Sequence, residues 1–270
     1  MRLETLLRQI FNRPEPLPPE GMIGLSTPAI HQAILRTIDR VAPAGLSGEY
    51  LDIGSGMGDL VGLVGARYGV KSFACDYTQD LMRLPGQTVE IVDLNHDPLP
   101  YADSSFALVT CAETIEHLEH YRETVRQIYR VLKPGGLAII TTPNVLNLRS
   151  RLHNLTFGFA SLFGPLVAGE QDVHKPAGHI NPVAWPYLAH TLLDAGFADI
   201  NLTVDKYQRR SLISLFFLYL PIQIAGWYAY LRELKKYRTI TSDNEWVIRK
   251  INSRDILLGR TLIVAGRKPE

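Results

Sequence analysis

The sequence predicts an α/β fold, and three observations lead there. An apolar run, Tyr50 to Ile53, stops at glycines spaced two apart, Gly54, Gly56 and Gly58, and an apolar-periodic segment starts at Leu60. That is the signature of strand, tight turn and helix. Short apolar runs then recur at Ser72–Cys75, Val89–Val92, Phe106–Cys111 and Leu137–Thr142, and acidic residues end the first two, Asp76 and Asp93. Between the last two runs, Leu118 to Leu132 reads as a helix closed by Lys133-Pro134-Gly135-Gly136.

The glycine turn is the chemical centre of the chain. Glycines allow a sharp reversal and let a ligand lie close to the backbone. The helix N-terminus behind them supplies unpaired N–H groups and a positive dipole end. A nucleotide-like ligand suits that position. The spacing departs from the dinucleotide fingerprint, and no Gly-Lys-Ser/Thr follows, so a P-loop is excluded. Asp76 stands about twenty residues beyond the glycines, where a carboxylate can accept hydrogen bonds from ribose hydroxyls.

Taken together, Leu51-Asp52-Ile53-Gly54-Ser55-Gly56-Met57-Gly58, Cys75-Asp76-Tyr77, Asp93-Leu94-Asn95, Glu116-His117-Leu118 and Val131-Leu132-Lys133-Pro134-Gly135-Gly136 resemble the class I S-adenosylmethionine (SAM)-dependent methyltransferases, of UbiE/UbiG-like type. The resemblance covers residues from about 25 to 204 and the last strand. It implies a Rossmann-like sheet of seven mostly parallel strands in the order 3-2-1-4-5-7-6, with helices on both faces, and SAM as cofactor. It also implies a cofactor site of Asp52, Gly54, Ser55, Gly56, Gly58, Asp76, Tyr77, Asp93, Leu94 and Cys111. Asp52 would lie near the methionine end, or bond the N–H groups of the turn. Asp76 would hold the ribose, and Asp93-Leu94 would flank the adenine. Tyr77 would cover adenine or ribose, or be a surface tyrosine.

In chain order, residues 2–11 repeat apolar side chains at helical spacing, which suits a docking helix or an interfacial one beside Arg2, Arg8 and Arg13. Pro14, Pro16, Pro18 and Pro19 form a stiff spacer, so residues 1–24 are set apart from a methyltransferase domain over 25–270. Ser26 or Thr27 caps a helix with Pro28 in its first turn, running to Val41. The net charge of +1 gives no basic excess for nucleic acid. Cys75 and Cys111 lie inside strands without CxxC spacing, as buried thiols in a reducing compartment. The N-terminus carries Glu4 and no long apolar region, unlike a secretory signal. Residues 97–106 form the loop into the fourth strand. Ala107 stands where the resembled family has Asp, with no loss of cofactor binding expected.

Glu113, Glu116 and His117 follow the fourth strand, at spacings that share a helical face. Two carboxylates and an imidazole there suit a divalent cation, Mg²⁺ or Mn²⁺. This Glu-x-x-Glu-His pattern resembles that of the small-RNA 2′-O-methyltransferases and the ubiquinone-pathway O-methyltransferases, and resemblance to the RNA enzymes implies that His179, or else His174, completes the set. The alternative is a metal-free site in which His117 or His179 is the general base, with Glu113 as a further catalytic candidate.

Two insertions depart from a minimal domain. The first, 145–180, carries Phe157, Phe159, Leu162 and Phe163 and is expected as a lid over the substrate mouth, suited to an apolar acceptor or simply packed shut. Asn181 to Trp185 caps a helix through Leu193, and Ile200–Val204 is the sixth strand. The second insertion, 205–258, contains 211–231, which has no charged residue and basic flanks at both ends. Its length suffices for a membrane span. Pro221 and the return of the chain to Thr261–Ala265 favour instead a helix pair broken at Pro221. That pair lies in a leaflet, or forms a buried cap or dimer contact. The expected activity is O-methylation of a lipid-linked, isoprenoid or glycan acceptor, on the cytoplasmic side and peripheral to the membrane. The rivals are a soluble small-molecule methyltransferase, an RNA 2′-O-methyltransferase, and a non-catalytic SAM-binding scaffold.

Overall fold

The computed structural model describes residues 26–165 and 178–270. The expected helix over 2–11, the proline spacer, and the 166–177 portion of the first insertion with His174 lie outside the described residues.

The strands are β1 (Glu49–Ile53), β2 (Lys71–Asp76), β3 (Val89–Ile91), β4 (Phe106–Ala112), β5 (Leu132–Pro143), β6 (Ala198–Val204) and β7 (Thr261–Arg267). They form one sheet in the order β3-β2-β1-β4-β5-β7-β6, as expected. The first five pair in parallel, while β7 runs antiparallel to both β5 and β6. Near-continuous apolar runs suit strands covered on both faces.

Period-two alternation divides these strands between two cores. On one face Leu51, Ile53, Cys75, Val109 and Cys111 pack against α3 (Tyr121–Val131) and α5 (Trp185–Ala195) through Val125, Ile128, Trp185 and Leu188, and a register shift in β4 brings Phe106 to the same side. On the other, Tyr50, Leu108, Ile139 and Ile263 pack against α1 (Pro28–Val41) and α2 (Asp59–Tyr68) through Ile30, Ile34, Ile38, Leu60 and Val64. In α1, Thr27 takes the N-cap position and Pro28 the first turn, where a missing N–H is harmless. The Thr27 side chain makes no capping bond.

Three expected boundaries move. The helix predicted from Leu118 begins at Tyr121, because Ile115–His117 form a separate 3₁₀ turn. The N–H groups of Glu119 and His120 are taken by the Asn95 side chain at 2.9 and 3.5 Å rather than by a preceding helical turn. Asn181 does not cap α5; Ala184 does. Asn181 instead donates its backbone N–H to the Glu116 carbonyl and its side-chain amide to the Leu118 carbonyl.

The third change is larger. Residues 211–231 are not a helix pair broken at Pro221. They form one unbroken helix, α6 (Ser211–Arg232), which runs on into a π-helical turn, Glu233–Tyr237. A proline removes one helical hydrogen bond and crowds the preceding turn. Contacts beyond Pro221 hold the helix in line. Gln223 donates to the Asn252 carbonyl at 2.9 Å, and the Tyr230 hydroxyl donates to Glu245 at 2.6 Å. Two short helices, α7 (Glu245–Lys250) and α8 (Arg254–Leu258), lead back to β7. The indole N–H of fully buried Trp185 donates to the Val247 carbonyl at 3.0 Å, tying this second insertion to α5. The first insertion opens, after β5, with α4 (Leu148–Phe157), capped by the Asn147 side chain on the Ser150 N–H.

Candidate active site

A cavity of about 650 Å³ opens at the C-terminal ends of the parallel strands, where the sheet order reverses between β1 and β4. Open α/β sheets bind ligands at that crevice. Its floor is the glycine turn. The N–H groups of Gly54 and Ser55 donate to the Cys75 carbonyl at 2.9 and 3.2 Å, which stitches the turn onto β2. Gly54 has φ +70°, and a Cβ there would stand 2.2 Å from the Thr114 hydroxyl oxygen. The turn can therefore close under Thr114 only with glycine at this position.

Asp76, at the end of β2 and 6 % exposed, is aimed at the same turn. One carboxylate oxygen accepts the Gly56 N–H and the other the Tyr77 N–H, both at 2.8 Å. Val92, Asp93 and Leu94 form the next stretch of wall, and Tyr77, 48 % exposed, lies at its edge. Asp93 accepts from the Asn95 N–H at 3.0 Å and pairs with His96 at 2.9 Å. The His96 contact holds its carboxyl below the usual range and raises the imidazole. Ser55 lines this cavity, and its hydroxyl is buried with no hydrogen-bond partner among the described residues. An orphaned buried hydroxyl on a glycine turn fits a polar ligand lying there.

Two expected cofactor contacts fall elsewhere. Gly58 is the N-cap of α2 at φ +83°, and its missing Cβ makes room for the Met82 sulfur at 2.5 Å; it packs the helix and does not line the cavity. The Cys111 thiol points into the apolar core, and Ala112 takes its place in the wall. The side chain next along a strand faces the opposite side, which accounts for the exchange.

Asp52 closes the inner end. It is 2 % exposed. The Tyr50 hydroxyl donates to Thr110 at 2.7 Å, and the Thr110 hydroxyl donates to Asp52 at 2.5 Å. Burial raises the Asp52 pKa to about 7, with the Asp76 charge adding and the hydroxyl bonds opposing. The relay through Tyr50 and Thr110 was not visible in the sequence, since it needs the β1–β4 pairing. His31 was missed as well. It lies on the buried face of α1, lines the cavity, and has its pKa lowered by burial. Its only sequence signal was a polar residue beside Ile30, Ala33 and Ile34.

At the mouth, Glu116, His117 and His179 come together, each with a ligand atom within 4.8 Å of the others. Glu113 does not join them. It has left-handed backbone at φ +52° and precedes the 3₁₀ turn, so no helical face links it to Glu116 and His117. Its carboxylate instead accepts from the Thr141 hydroxyl at 3.0 Å. Burial raises the Glu113 pKa to about 7. Glu116 is fully buried, and its pKa is pushed up by desolvation and by the Glu113 charge. Among the described residues, neither Glu116 oxygen meets a hydrogen-bond donor at standard geometry. His117 Nδ1 faces the Gly178 carbonyl at 2.9 Å, and His179 Nδ1 faces the Leu162 carbonyl at 3.0 Å. A carbonyl can only accept, so both rings carry their neutral proton on Nδ1 and present Nε2 as an acceptor. The rings meet edge to face at 4.7 Å. Burial lowers the His179 pKa.

Comparison with known proteins agrees with this architecture. The profile of a family described as "Methyltransferase domain" matches residues 27–202. A ubiquinone/menaquinone biosynthesis C-methyltransferase from Desulfotalea psychrophila is 25 % identical over 166 residues, 57 % of this chain and 68 % of that protein. One of the same description from Bartonella bacilliformis is 27 % identical over 150 residues, covering 50 % of this chain and 58 % of the relative. Among solved structures, a SAM-dependent methyltransferase from Archaeoglobus fulgidus superposes with a TM-score of 0.54 at 20 % identity, over 88 % of this chain and 94 % of that one. Phosphoethanolamine N-methyltransferase 2 of Haemonchus contortus, solved with SAM, gives 0.51 at 17 % identity, over 88 % and 53 %. With the glycine turn, the acidic strand ends and the sheet order in place, this chain belongs to the methyltransferase-domain family and is a class I SAM-dependent methyltransferase.

Proposed function

We propose that the protein transfers the methyl group of SAM to a hydroxyl oxygen of an amphiphilic acceptor, lipid-linked, isoprenoid or glycan, at a membrane surface. The observation that carries this reading is a juxtaposition. The mouth that holds His117 and His179 is bordered by exposed apolar residues of the first insertion, and α4 of that insertion packs on the apolar α6.

SAM supplies a methyl group on a positively charged sulfur. The remaining roles fall to the chain. Asp76, oriented toward the glycine turn by two N–H groups, is the carboxylate placed to accept from the ribose hydroxyls. Ser55 gains the partner it lacks, Asp93 and Leu94 flank the adenine with Tyr77 at its edge, and Asp52 balances positive charge at the inner end. At the mouth, the Nε2 of His117 takes the acceptor proton, assisted by His179. Glu113 is the further acid–base group, since a carboxyl near pKa 7 matches neutral operating conditions. Alignment supplies much of the remainder, on the order of 7–11 kcal/mol in well-oriented reactions.

The donor set at the mouth also fits a divalent cation. In that case Glu116, His117 and His179 would hold Mg²⁺ or Mn²⁺ in place of the imidazoles' base role, and the ion would favour the charged form of Glu116, which burial opposes, and lower the acceptor pKa. A second reading, methylation on carbon, is favoured by the description of the curated relatives as C-methyltransferases. The same base serves it, because ionising a ring hydroxyl raises electron density on the neighbouring ring carbons.

The test compares extracts of cells making the intact protein with cells making the Asp52→Ala, Asp76→Ala double variant. High-resolution mass spectrometry seeks species differing by one methylene. A lipid pair that tracks the intact protein is the expected result, and a shift only among soluble metabolites or RNA nucleosides overturns it. Cleaving ethers in the product separates the two readings, since only an O-methyl group is lost.

A further inference from the structure

Helix α6 turns the polar groups of Ser211, Gln223 and Tyr230 toward the domain and leaves Tyr219 and Tyr228 exposed. The side toward the domain carries Ser211, Gln223, Gly226 and Tyr230, and Gln223 and Tyr230 bond to Asn252 and Glu245. The outward side is apolar along its length: Ile213 is 72 % exposed, Phe216 81 %, Leu220 66 % and Trp227 65 %. An apolar helix face belongs against a protein core or in hydrocarbon. Exposed basic residues close both ends, Arg209 and Arg210 before it, Arg232 at its last position, and Lys235 and Lys236 after it.

These facts select the occupant of the outward face. The contacts of Gln223 and Tyr230 lay the helix along the domain beyond its midpoint, which argues against a crossing of the bilayer. A second copy of α6 would set basic ends against basic ends whether the two helices ran parallel or antiparallel. An anionic leaflet satisfies both features, with hydrocarbon for the outward face and phosphates for the flanks.

Next to α6 stands α4, which packs against it and exposes Leu155 (82 %) and Phe157 (57 %). The chain beyond α4 reaches Leu162, whose carbonyl bonds His179, and Ile180, partly exposed and part of the cavity wall. Apolar side chains therefore mark a path from the leaflet-facing helix to the catalytic mouth.

We propose that α6 and the C-terminal end of α4 bed together in one anionic leaflet, and that the acceptor passes from that leaflet into the cavity along Leu162 and Ile180 without crossing water. This deepens the reading of an amphiphilic acceptor given above and rests on it.

The full chain allows a direct test, because its two cysteines, Cys75 and Cys111, are buried in the core. Single substitutions Phe216→Cys, Leu155→Cys, Ile180→Cys and Lys71→Cys are labelled with an environment-sensitive nitrobenzoxadiazole dye. Lys71 begins β2, at the end of the sheet away from the cavity. Vesicles of phosphatidylcholine and phosphatidylglycerol in equal parts are then added. Emission rises at 216, 155 and 180 and stays flat at 71, and vesicles of phosphatidylcholine alone give a weaker rise at every responding site. Phe216→Asp reduces flotation with the vesicles by about tenfold or more, from the apolar area it removes. A rise at 216 with none at 180 overturns passage from the leaflet and leaves the amphiphilic acceptor standing. No rise anywhere, with a dimer in light scattering, overturns the membrane surface and assigns α6 to a second copy. If every labelled site responds as expected but cell extracts contain no methylated lipid, the acceptor reading fails and the docking surface survives.

Discussion

Asp52 is expected to couple cofactor binding to pH. Its carboxyl is buried and its pKa lies at about 7 in the empty site. A ligand that brings positive charge to the inner end of the cavity stabilises the ionised form, so binding expels the proton. With a pKa near 7, about a tenth of the carboxyl is ionised at pH 6 and about nine tenths at pH 8. Affinity for S-adenosylhomocysteine, whose amino group is cationic, therefore rises about tenfold across that interval and levels off above it. Isothermal titration calorimetry in two buffers of different ionisation enthalpy counts the proton: close to one released at pH 6, close to none at pH 8. Asp52→Asn binds more weakly above pH 7 and loses this pH dependence. Stability carries the opposite sign. The folded pKa lies above the unfolded value of 3.8, so stability is greatest at low pH and falls as pH rises toward 7. The shift corresponds to about 4 kcal/mol. The empty Asp52→Asn protein consequently melts higher than the native one at pH 8. Equal pH slopes for the two proteins, in binding and in melting temperature, would refute the assignment.

Asp76→Ala removes an acceptor that holds the glycine turn and is proposed to hold the ribose. Losing two charge-assisted bonds weakens S-adenosylhomocysteine binding by about 10²- to 10⁴-fold, and unchanged calorimetric affinity would remove the ribose role. Gly58→Ala forces a Cβ into left-handed backbone, at about 1–2 kcal/mol, and against the Met82 sulfur; the melting temperature drops, and Met82→Ala in the same chain restores part of it. Mn²⁺ raises the melting temperature of the native protein by up to about 2.7 kcal/mol of added stability at a hundredfold excess over Kd. Glu116→Gln abolishes that gain, and an identical response in the variant would show that the ion binds elsewhere.

How much was legible in the sequence follows from the range of the forces involved. The glycine turn, the strand-ending Asp76 and Asp93, and the strand order by resemblance were readable, because each is written in a few adjacent residues. Glu113 was misread because helical spacing was assumed where its backbone turns left-handed and Thr141, on a neighbouring strand, takes its carboxylate. Pro221 was misread because its local preference against helix is overridden by contacts from Asn252 and Glu245. The Tyr50–Thr110–Asp52 relay and the cavity-facing position of His31 depend on packing between distant segments, which no local pattern encodes. Cys111 and Gly58 stand one side chain away from the ligand wall, a distinction that strand parity and cap geometry decide.

The placement of β7 has a consequence for how the chain is made. Among the described residues β6 has only β7 for a neighbour in the sheet, and β7 fills the gap between β6 and β5. During synthesis, β6 leaves the ribosome with no strand to pair with, and the whole of α6 follows it before β7 exists. The apolar helix is thus presented to the cell while the sheet beneath it is still open on one side. Closing the sheet is a late, non-local event, of the kind that folds slowly and leaves hydrophobic surface exposed meanwhile. A leaflet that accepts α6 at that stage would shelter the unfinished domain from aggregation.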